Sequence, residues 1–566
     1  MLIMVNNEYA HTHELGEMRD ERVAMRDGVR LMTHVWLPQG EGPWPVIVQR
    51  NPYVNADNVR DPGLMIFVRY GFAVVHQECR GRNESEGTWE PFVHEREDGL
   101  DTLVWITAQS WQDGSIGLYG PSYMSFNQWV LADALPAEVK TLYLSVLGTD
   151  QHRFMYMNGM FRPDIYTGWA VTNAGVDWQG RDTNEVANEA FQFVPQAEMD
   201  KQMLGRTLGW YQDFLANPGA GDPLWQTGLW HELKQAPGRL NVPVHLTGGW
   251  FDIALDTMFE AYGQLRPEIR EASRMVIGPW SHAMEPYGDL TYPNGWADGP
   301  NGGLKAALDW FNTMLKGAPY PNERGVIRSY TIGANQWGNW RSWPPRHATK
   351  PLYLHGNNEL GSTPGQQPSA VSYTYDPANP VQTAGGSGML SVYGDSPCLP
   401  KAASVRQPEP GSRPDVITFL SAPVEEDLLI AGQIKIVLFV DSTAEDTAFT
   451  AKISELFPDG KAYNIADGIT SLAYRNGSPK TIAYEPGETI ELVIECWPMI
   501  WKLRRGSRIR LDVSSSNFPA YHVHQNAAGN WAQQGQGIAA VQTIHWGGAL
   551  PSRIELPLAS ESQFEC

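Results

Sequence analysis

Short apolar runs alternate with longer amphipathic segments over the first 150 residues. The runs at 45–50 and 71–81 are rich in β-branched residues and end in polar or glycine-containing loops, which is typical of buried strands. Segment 95–109 instead carries apolar residues three and four positions apart, which predicts a helix. Because strands that alternate with helices pair in parallel, we predict a parallel sheet with helices on both faces.

This alternation is interrupted once and then ends. Residues 150–238 are helical and aromatic-rich, which predicts a cap inserted over the sheet, and strand–helix alternation resumes afterwards. From about residue 325, strands with period-two polarity dominate, as in a β-sandwich or jelly roll. The predicted domains are an α/β domain in two parts, a helical cap and an all-β jelly-roll domain, with bounds 1–149 and 239–324, 150–238, and 325–566.

Composition narrows the classes of function. The chain has 566 residues and a net charge of −21, so a nucleic acid or an anionic membrane, which both need a basic face, is not an expected partner. No uncharged apolar run approaches 18 residues, so no membrane span is expected. The four cysteines are scattered, which favours a reducing compartment, and we predict a cytoplasmic location.

The stretch GLYGPSYMS at 117–125 places a serine between a strand and a helix. A nucleophilic serine sits on such a turn in α/β-hydrolases, where small neighbours let the backbone turn sharply. Gly120 lies two residues before Ser122, but Met124 occupies the place of the usual glycine two residues after it. On this stretch alone, Ser122 is either a nucleophile or a helix N-cap.

Two later strands carry the partners that a nucleophilic serine needs. The strand at 242–252 ends at Asp252, and the strand at 273–282 ends at His282. The order Ser, Asp, His is that of the α/β-hydrolase triad, and both residues follow strands whose carboxyl ends share one edge of a parallel sheet. The sequence therefore predicts a Ser122–His282–Asp252 triad.

Acyl transfer also needs donors for the oxyanion. One predicted donor is the backbone N–H of Tyr123, the residue after the nucleophile. The second should come from the loop after the strand at 45–50, where the hydroxyl of Tyr53 could serve; a packed turn tyrosine is the alternative.

Several motifs resemble those of the bacterial cocaine esterase / X-Pro dipeptidyl-peptidase (S15-like) serine hydrolases. They are RNPY at 50–53, GPSYM at 120–124, GGWFD at 248–252, GPWSH at 278–282 and SSSNFPAY at 514–521. The resemblance implies an α/β-hydrolase domain with a helical cap and a C-terminal jelly roll. It also implies Ser122, His282 and Asp252 as the triad, Tyr53 and the Tyr123 amide as the oxyanion hole, and no metal or organic cofactor. The chain departs from the family pattern G-x-S-Y-x-G at Ser125.

The cap segment indicates the kind of acyl group. Aromatic and methionine side chains adapt to bulky apolar ligands, and five of them are predicted to line the pocket: Phe154, Tyr156, Met157, Phe161 and Trp169. Core packing in the cap is the alternative interpretation for each of these five residues.

His522 and His524 have the alternate spacing of a two-ligand metal site, but we expect them to lie on a polar surface.

The predicted function is a serine hydrolase that cleaves small-molecule esters, or amides, of a bulky apolar or aromatic acid. An X-Pro dipeptidyl peptidase or a β-lactam or amide acylase of the same family is the nearest alternative. Ala254 and Leu255 follow Asp252, where family members that prefer α-amino acyl esters have acidic residues, which weakens the case for an ammonium-bearing acyl group. A catalytically inactive carbohydrate-binding protein that uses the jelly roll is the alternative from another class. The sequence does not determine the oligomeric state, and a homo-oligomer is possible.

Overall fold

The structure, a computed structural model, describes residues 11–54, 62–296, 302–389 and 399–560. The first part of the α/β domain contains six strands and three helices. They are β1 (Leu15–Ala24), β2 (Arg30–Pro38), β3 (Trp44–Asn51), α1 (Pro62–Arg69), β4 (Ala73–Glu78), α2 (Glu95–Thr107), β5 (Gln112–Pro121), α3 (Tyr123–Trp129) and β6 (Val139–Ser145).

Besides one short 3₁₀ helix (Gln196–Glu198), the cap that follows β6 consists of seven α-helices and one short hairpin. They are α4 (Gln151–Met155), β7 (Tyr156–Met157), β8 (Met160–Phe161), α5 (Pro163–Asn173), α6 (Thr183–Phe191), α7 (Met199–Met203), α8 (Gly209–Ala216), α9 (Pro223–Gln226) and α10 (Gly228–Arg239). The hairpin β7–β8 is the one part of this segment, within the described residues, that pairs as strands.

The chain then returns to the sheet. The second part of the domain contains β9 (Val244–Phe251), α11 (Leu255–Gln264), α12 (Pro267–Ala272), β10 (Arg274–Ser281), α13 (Gly302–Lys316), β11 (Val326–Thr331) and β12 (Gln336–Trp340). The ten strands form one sheet in the order β1-β2-β4-β3-β5-β6-β9-β10-β11-β12. The run from β4 to β11 is parallel, and antiparallel strands flank it at both edges.

The central strands are buried on both faces, as a parallel sheet between helical layers requires. Every residue of β4, β9 and β10 is buried. This burial explains why these strands do not alternate between apolar and polar residues, and it extends to the polar residues His76, Gln77 and Glu78 at the end of β4.

The sheet of the α/β domain extends beyond residue 325, where the sequence predicted that the domain ends. That boundary placed residues 326–340 in the all-β domain, but β11 pairs in parallel with β10, and β12 pairs with β11. Period-two polarity predicted a strand at β11 but could not show which sheet it joins, because an edge strand of either sheet has the same pattern.

The C-terminal part is β-rich and largely antiparallel. Its strands are β13 (His347–His355), β14 (Glu359–Gly361), β15 (Ser369–Tyr375), β16 (Ile417–Ser421), β17 (Leu428–Ser442), β18 (Ala448–Leu456), β19 (Ala462–Ser471), β20 (Ile490–Leu503), β21 (Arg508–Ser514), β22 (Ala540–Trp546) and β23 (Arg553–Ala559). The long strand β17 pairs with β20, β22 and β23, and the strands form one 11-stranded sheet.

Candidate active site

Three loops at one edge of the parallel sheet carry the predicted triad. Ser122 follows β5, Asp252 follows β9 and His282 follows β10. These strands run in the same direction within the order β5-β6-β9-β10, so their carboxyl ends share one edge. The sheet topology alone therefore places the three residues on the same side of the domain.

The backbone at Ser122 is strained. Its φ is 53° and its ψ is −126°, a conformation that non-glycine residues rarely adopt, and it lies between the last residue of β5 and the first of α3. The side chain makes no N-cap hydrogen bond to the helix. Of the two interpretations of GLYGPSYMS, the geometry favours a nucleophile on a sharp strand-to-helix turn over a helix N-cap.

The residues around this turn explain its unusual motif. A Cβ atom at Gly120 would lie 2.5 Å from the Cβ of Met124, so this position requires glycine. Ser125, which stands at the last glycine of the family pattern G-x-S-Y-x-G, is fully buried, and its hydroxyl donates to Gly120 O at 2.6 Å. The same hydroxyl accepts the backbone N–H of Ser145 at 3.1 Å. A serine thus fits here and bridges the helix to the sheet.

The triad side chains lie within hydrogen-bonding distance of each other. His282 Nε2 is 3.2 Å from Ser122 Oγ, and His282 Nδ1 is 3.1 Å from Asp252 Oδ2. Asp252 is fully buried, and its Oδ1 accepts the backbone N–H of Ala254 at 2.6 Å. The carboxylate is therefore held in place, and it fixes the imidazole so that Nε2 faces the serine.

Tyr53 lies next to the nucleophile. The side chains of Ser122 and Trp169 and the backbone N–H of Tyr123 lie close enough to its hydroxyl to lower the pKa of the phenol, against the larger effect of burial. An indole N–H and a backbone N–H can only donate, so the Tyr53 oxygen is the acceptor toward Trp169 and Tyr123. Burial raises the pKa of the Tyr53 phenol, so it keeps its proton at neutral pH. The two predicted oxyanion donors therefore meet beside Ser122 Oγ.

A cavity of about 450 Å³ opens at the triad. Its walls come from the α/β domain, from the cap and, at Met389, from the chain between β15 and β16. Two of the five predicted pocket residues, Phe154 and Trp169, line it together with Phe92, Phe126, Leu147, Ile165 and Tyr166. Among the described residues that line the cavity there is no Asp, Glu, Lys or Arg, and His282 is the one side chain that could carry a positive charge.

Strained backbone is concentrated around this cavity. Four lining residues other than glycine have positive φ: Phe92 at 73°, Ser122 at 53°, Val146 at 52° and Met284 at 58°. Each such conformation costs about 1–3 kcal/mol and persists only where the surroundings enforce it, most often at functional sites.

Three of the five predicted pocket residues do not line the cavity. Tyr156, Met157 and Phe161 lie in the hairpin β7–β8, which packs against the β-rich part of the chain. Phe161 stacks on Trp531 with ring centroids 5.0 Å apart, and the Tyr156 hydroxyl donates to Phe214 O at 2.9 Å. Their aromatic character reflects this contact between parts of the chain.

The two histidines expected on a polar surface are buried, His522 in the same contact and His524 within the β-rich part. His522 Nδ1 accepts the backbone N–H of Phe161 at 2.9 Å, and its ring stacks on Trp531. His524 Nε2 lies 3.3 Å from Asp446. The described residues contain no group of three or more His, Cys, Asp or Glu side chains arranged as metal ligands.

Sequence reasoning missed several wall residues. Ile165 and Tyr166 lie one helical turn before Trp169 on α5, so their spacing could have identified them. Phe92 and Met389 carry no local signal, because each lies in a loop far along the chain from the triad.

Cys79 and Cys496 are buried free thiols, and Cys398 and Cys566 lie outside the described residues. In the described part of the chain, no helix is long and apolar enough to cross a membrane.

Two family models match the chain. The model of X-Pro dipeptidyl-peptidase (S15 family) matches residues 27–284, and that of the X-Pro dipeptidyl-peptidase C-terminal non-catalytic domain matches 323–555. The second match begins before β11, so it includes the two strands that extend the first sheet.

Relatives match over nearly the whole chain. A cocaine esterase of Rhodococcus sp. (strain MB1 Bresler) is 32% identical over 95% of this chain and 97% of its own. A putative serine esterase of Mycobacterium bovis is 22% identical over 88% and 90%. An aminopeptidase structure from a Thaumarchaeota archaeon has a TM-score of 0.83 at 22% identity, covering 98% of this chain and 99% of its own. An α-amino acid ester hydrolase has a TM-score of 0.78 at 22% identity, covering 99% of each chain. The predicted fold class is confirmed.

Proposed function

This chain belongs to the cocaine esterase / X-Pro dipeptidyl-peptidase (S15) family and is a serine hydrolase, and from that premise we propose that it cleaves carboxylic esters of a bulky, neutral, apolar or aromatic acid. The observation that carries this proposal is the composition of the cavity wall. Aromatic and aliphatic side chains dominate around Ser122, and no Asp, Glu, Lys or Arg is among the described lining residues. Such a wall suits an uncharged acyl group and offers nothing to neutralise an ammonium group.

The proposed reaction begins with attack by Ser122 Oγ on the ester carbonyl. His282 Nε2 takes the hydroxyl proton, while Asp252 holds Nδ1 and stabilises the imidazolium. The carbonyl oxygen becomes an oxyanion, which the Tyr123 N–H and the Tyr53 hydroxyl stabilise. His282 then gives its proton to the leaving alcohol as the C–O bond breaks, which leaves an acyl-enzyme.

Water completes the cycle by the same route in reverse. His282 takes a proton from water, the hydroxide attacks the acyl carbonyl, and the proton returns to Ser122 Oγ as the acid leaves. The indole of Trp169 donates to the Tyr53 oxygen, so the Tyr53 proton is free to point away from Trp169 and toward the oxyanion.

The alternatives from the sequence have less support. An X-Pro dipeptidyl peptidase must anchor the amino terminus of its substrate, and the described cavity wall carries no carboxylate for that purpose. An amide acylase remains an outcome of the substrate assay. A purely carbohydrate-binding protein would not need the strained, hydrogen-bonded serine described above.

Active-site labelling tests the nucleophile. A fluorophosphonate should label the intact protein, and Ser122→Ala should abolish labelling and lower ester turnover by about 10⁶. The matched control is Ser115→Ala, at the other end of the same strand, which should label normally. Labelling that persists in Ser122→Ala would assign the chemistry to another residue.

A substrate panel tests the acyl group. 4-Nitrophenyl esters of acetic, benzoic and phenylacetic acid are compared with the phenylglycine ester and with an X-Pro anilide. We expect the two neutral aromatic esters to give the highest kcat/KM. A preference for the phenylglycine ester or the X-Pro anilide would reject the neutral acyl group.

A further inference from the structure

The side chain of Tyr123 lies behind the oxyanion site. Its backbone N–H faces Tyr53 and Ser122, whereas its phenol reaches into the domain. The phenol donates to Glu95 Oε1 at 2.6 Å and accepts the backbone N–H of Phe92 at 2.7 Å. One hydroxyl thus joins the nucleophile turn to the segment before α2.

Glu95 is an unusual partner for that hydroxyl. It opens α2 and is 3% exposed, although a buried carboxyl group costs free energy unless it is well bonded. Its Oε2 has no hydrogen-bond partner among the described residues, so the bond from Tyr123 is the main side-chain contact of this group. Burial raises the pKa of Glu95, and burial together with Glu95 raises the pKa of Tyr123 well above its usual value. The phenol therefore remains a donor at neutral pH.

Phe92 connects the same hydroxyl to the cavity wall. Its φ of 73° is strained for a bulky residue, and its N–H bond to the Tyr123 hydroxyl helps to maintain that conformation. Its ring packs 5.1 Å from the Tyr123 ring and 5.1 Å from Trp230, and it lines the cavity. A shift of the phenol would move this part of the wall.

We infer that Tyr123 and Glu95 are positioning residues, whose hydrogen-bond chain to Phe92 fixes both the oxyanion-binding amide and the acyl-pocket wall. The amide direction depends on the strained turn at Ser122, which is stable only where several contacts enforce it. The Tyr123 side chain supplies one of those contacts from inside the domain. This inference rests on the proposed function.

The decisive variant is Tyr123→Phe, which keeps the ring and removes both hydrogen bonds. Two lost bonds predict a fall in kcat of about 10-fold or more on 4-nitrophenyl acetate, with KM changed by less than about threefold. On the benzoate ester we also expect a rise in KM, because Phe92 is no longer held. A kcat within about twofold of the wild type, or a loss confined to KM on both esters, would overturn the inference.

Glu95 variants separate positioning from packing. Glu95→Gln keeps an acceptor oxygen and should stay within about threefold of wild-type kcat, whereas Glu95→Leu should fall as far as Tyr123→Phe. A Glu95→Gln variant that loses as much as Tyr123→Phe would contradict the acceptor role. If Glu95→Leu does not fold, Tyr123→Phe and Glu95→Gln still decide the question.

A distant tyrosine gives the matched control. The Tyr484 hydroxyl accepts the backbone N–H of Ser442 at 2.8 Å in the β-rich part, so Tyr484→Phe removes a bond of the same kind. It should lower the melting temperature and leave kcat unchanged. Equal kcat losses in both tyrosine variants would reduce the role of Tyr123 to stability. Fluorophosphonate labelling of the wild type distinguishes failure of the proposed function from failure of this inference. If the wild type is not labelled, the proposed function fails. If it is labelled, the tyrosine and glutamate variants test the inference alone.

Discussion

Two neighbouring stretches of the cap, both with two aromatic residues, lie in different environments. Helix α5 presents Ile165, Tyr166 and Trp169 to the cavity beside the triad. In the hairpin β7–β8, just before it in the chain, the Phe161 ring stacks on Trp531 of the β-rich part, and the Tyr156 hydroxyl accepts the indole N–H of the same tryptophan. Aromatic content therefore predicted burial in both stretches, but the surface against which each is buried depends on the path of the chain.

The largest expected effect lies on the cavity side. In Asp252→Asn the amide would hold the wrong imidazole tautomer, so we expect kcat to fall by about 10⁴. Initial rates on a 4-nitrophenyl ester measure this, with circular dichroism to verify folding. A loss below tenfold would remove Asp252 from the triad.

A pair of tyrosines tests the comparison directly. Tyr53→Phe removes one oxyanion donor and should lower kcat by about 10²–10³. Tyr156→Phe removes a hydroxyl that donates to Phe214 O of α8 and accepts from the Trp531 indole, and it should leave kcat unchanged. Similar kcat values for both variants would show that the hole does not use Tyr53.

Phe161→Ala tests the hairpin side. The ring packs on Trp531 and Tyr156, and its loss should lower the free energy of unfolding by about 3 kcal/mol. Urea unfolding measures this, while kcat/KM per folded molecule should stay within about twofold. If the folded Phe161→Ala variant instead showed a change in KM that differs between acyl groups, Phe161 would be a pocket residue after all.

The smallest expected effect is at Trp169. Trp169→Phe keeps an aromatic wall but removes the indole N–H from the Tyr53 oxygen. One neutral hydrogen bond is worth about 1 kcal/mol, so kcat should fall by about fivefold. The same substitution at Trp225, whose indole donates to Asn217 O away from the lining residues, is the control. Equal kcat for Trp169→Phe and the wild type would exclude a role for this bond.

Much of the fold and site was predictable from local pattern. The fold class is confirmed, as are the family and the serine hydrolase class. The roles of Ser122, Asp252 and His282 stay predictions, and the structure places their side chains in hydrogen-bonding reach. Their placement was accessible because chain order and strand direction together fix which loops share an edge.

Chain pattern thus specified the strands, the turn at Ser122 and the edge where the triad collects, since each depends on periodicity or on neighbouring residues. Three-dimensional packing specified which cap aromatics reach the cavity, that Phe92 and Met389 join its wall, and that β11 and β12 extend the first sheet. These features depend on contacts between residues far apart in the chain. Such contacts follow from how the parts pack together and leave no periodic signal in either partner.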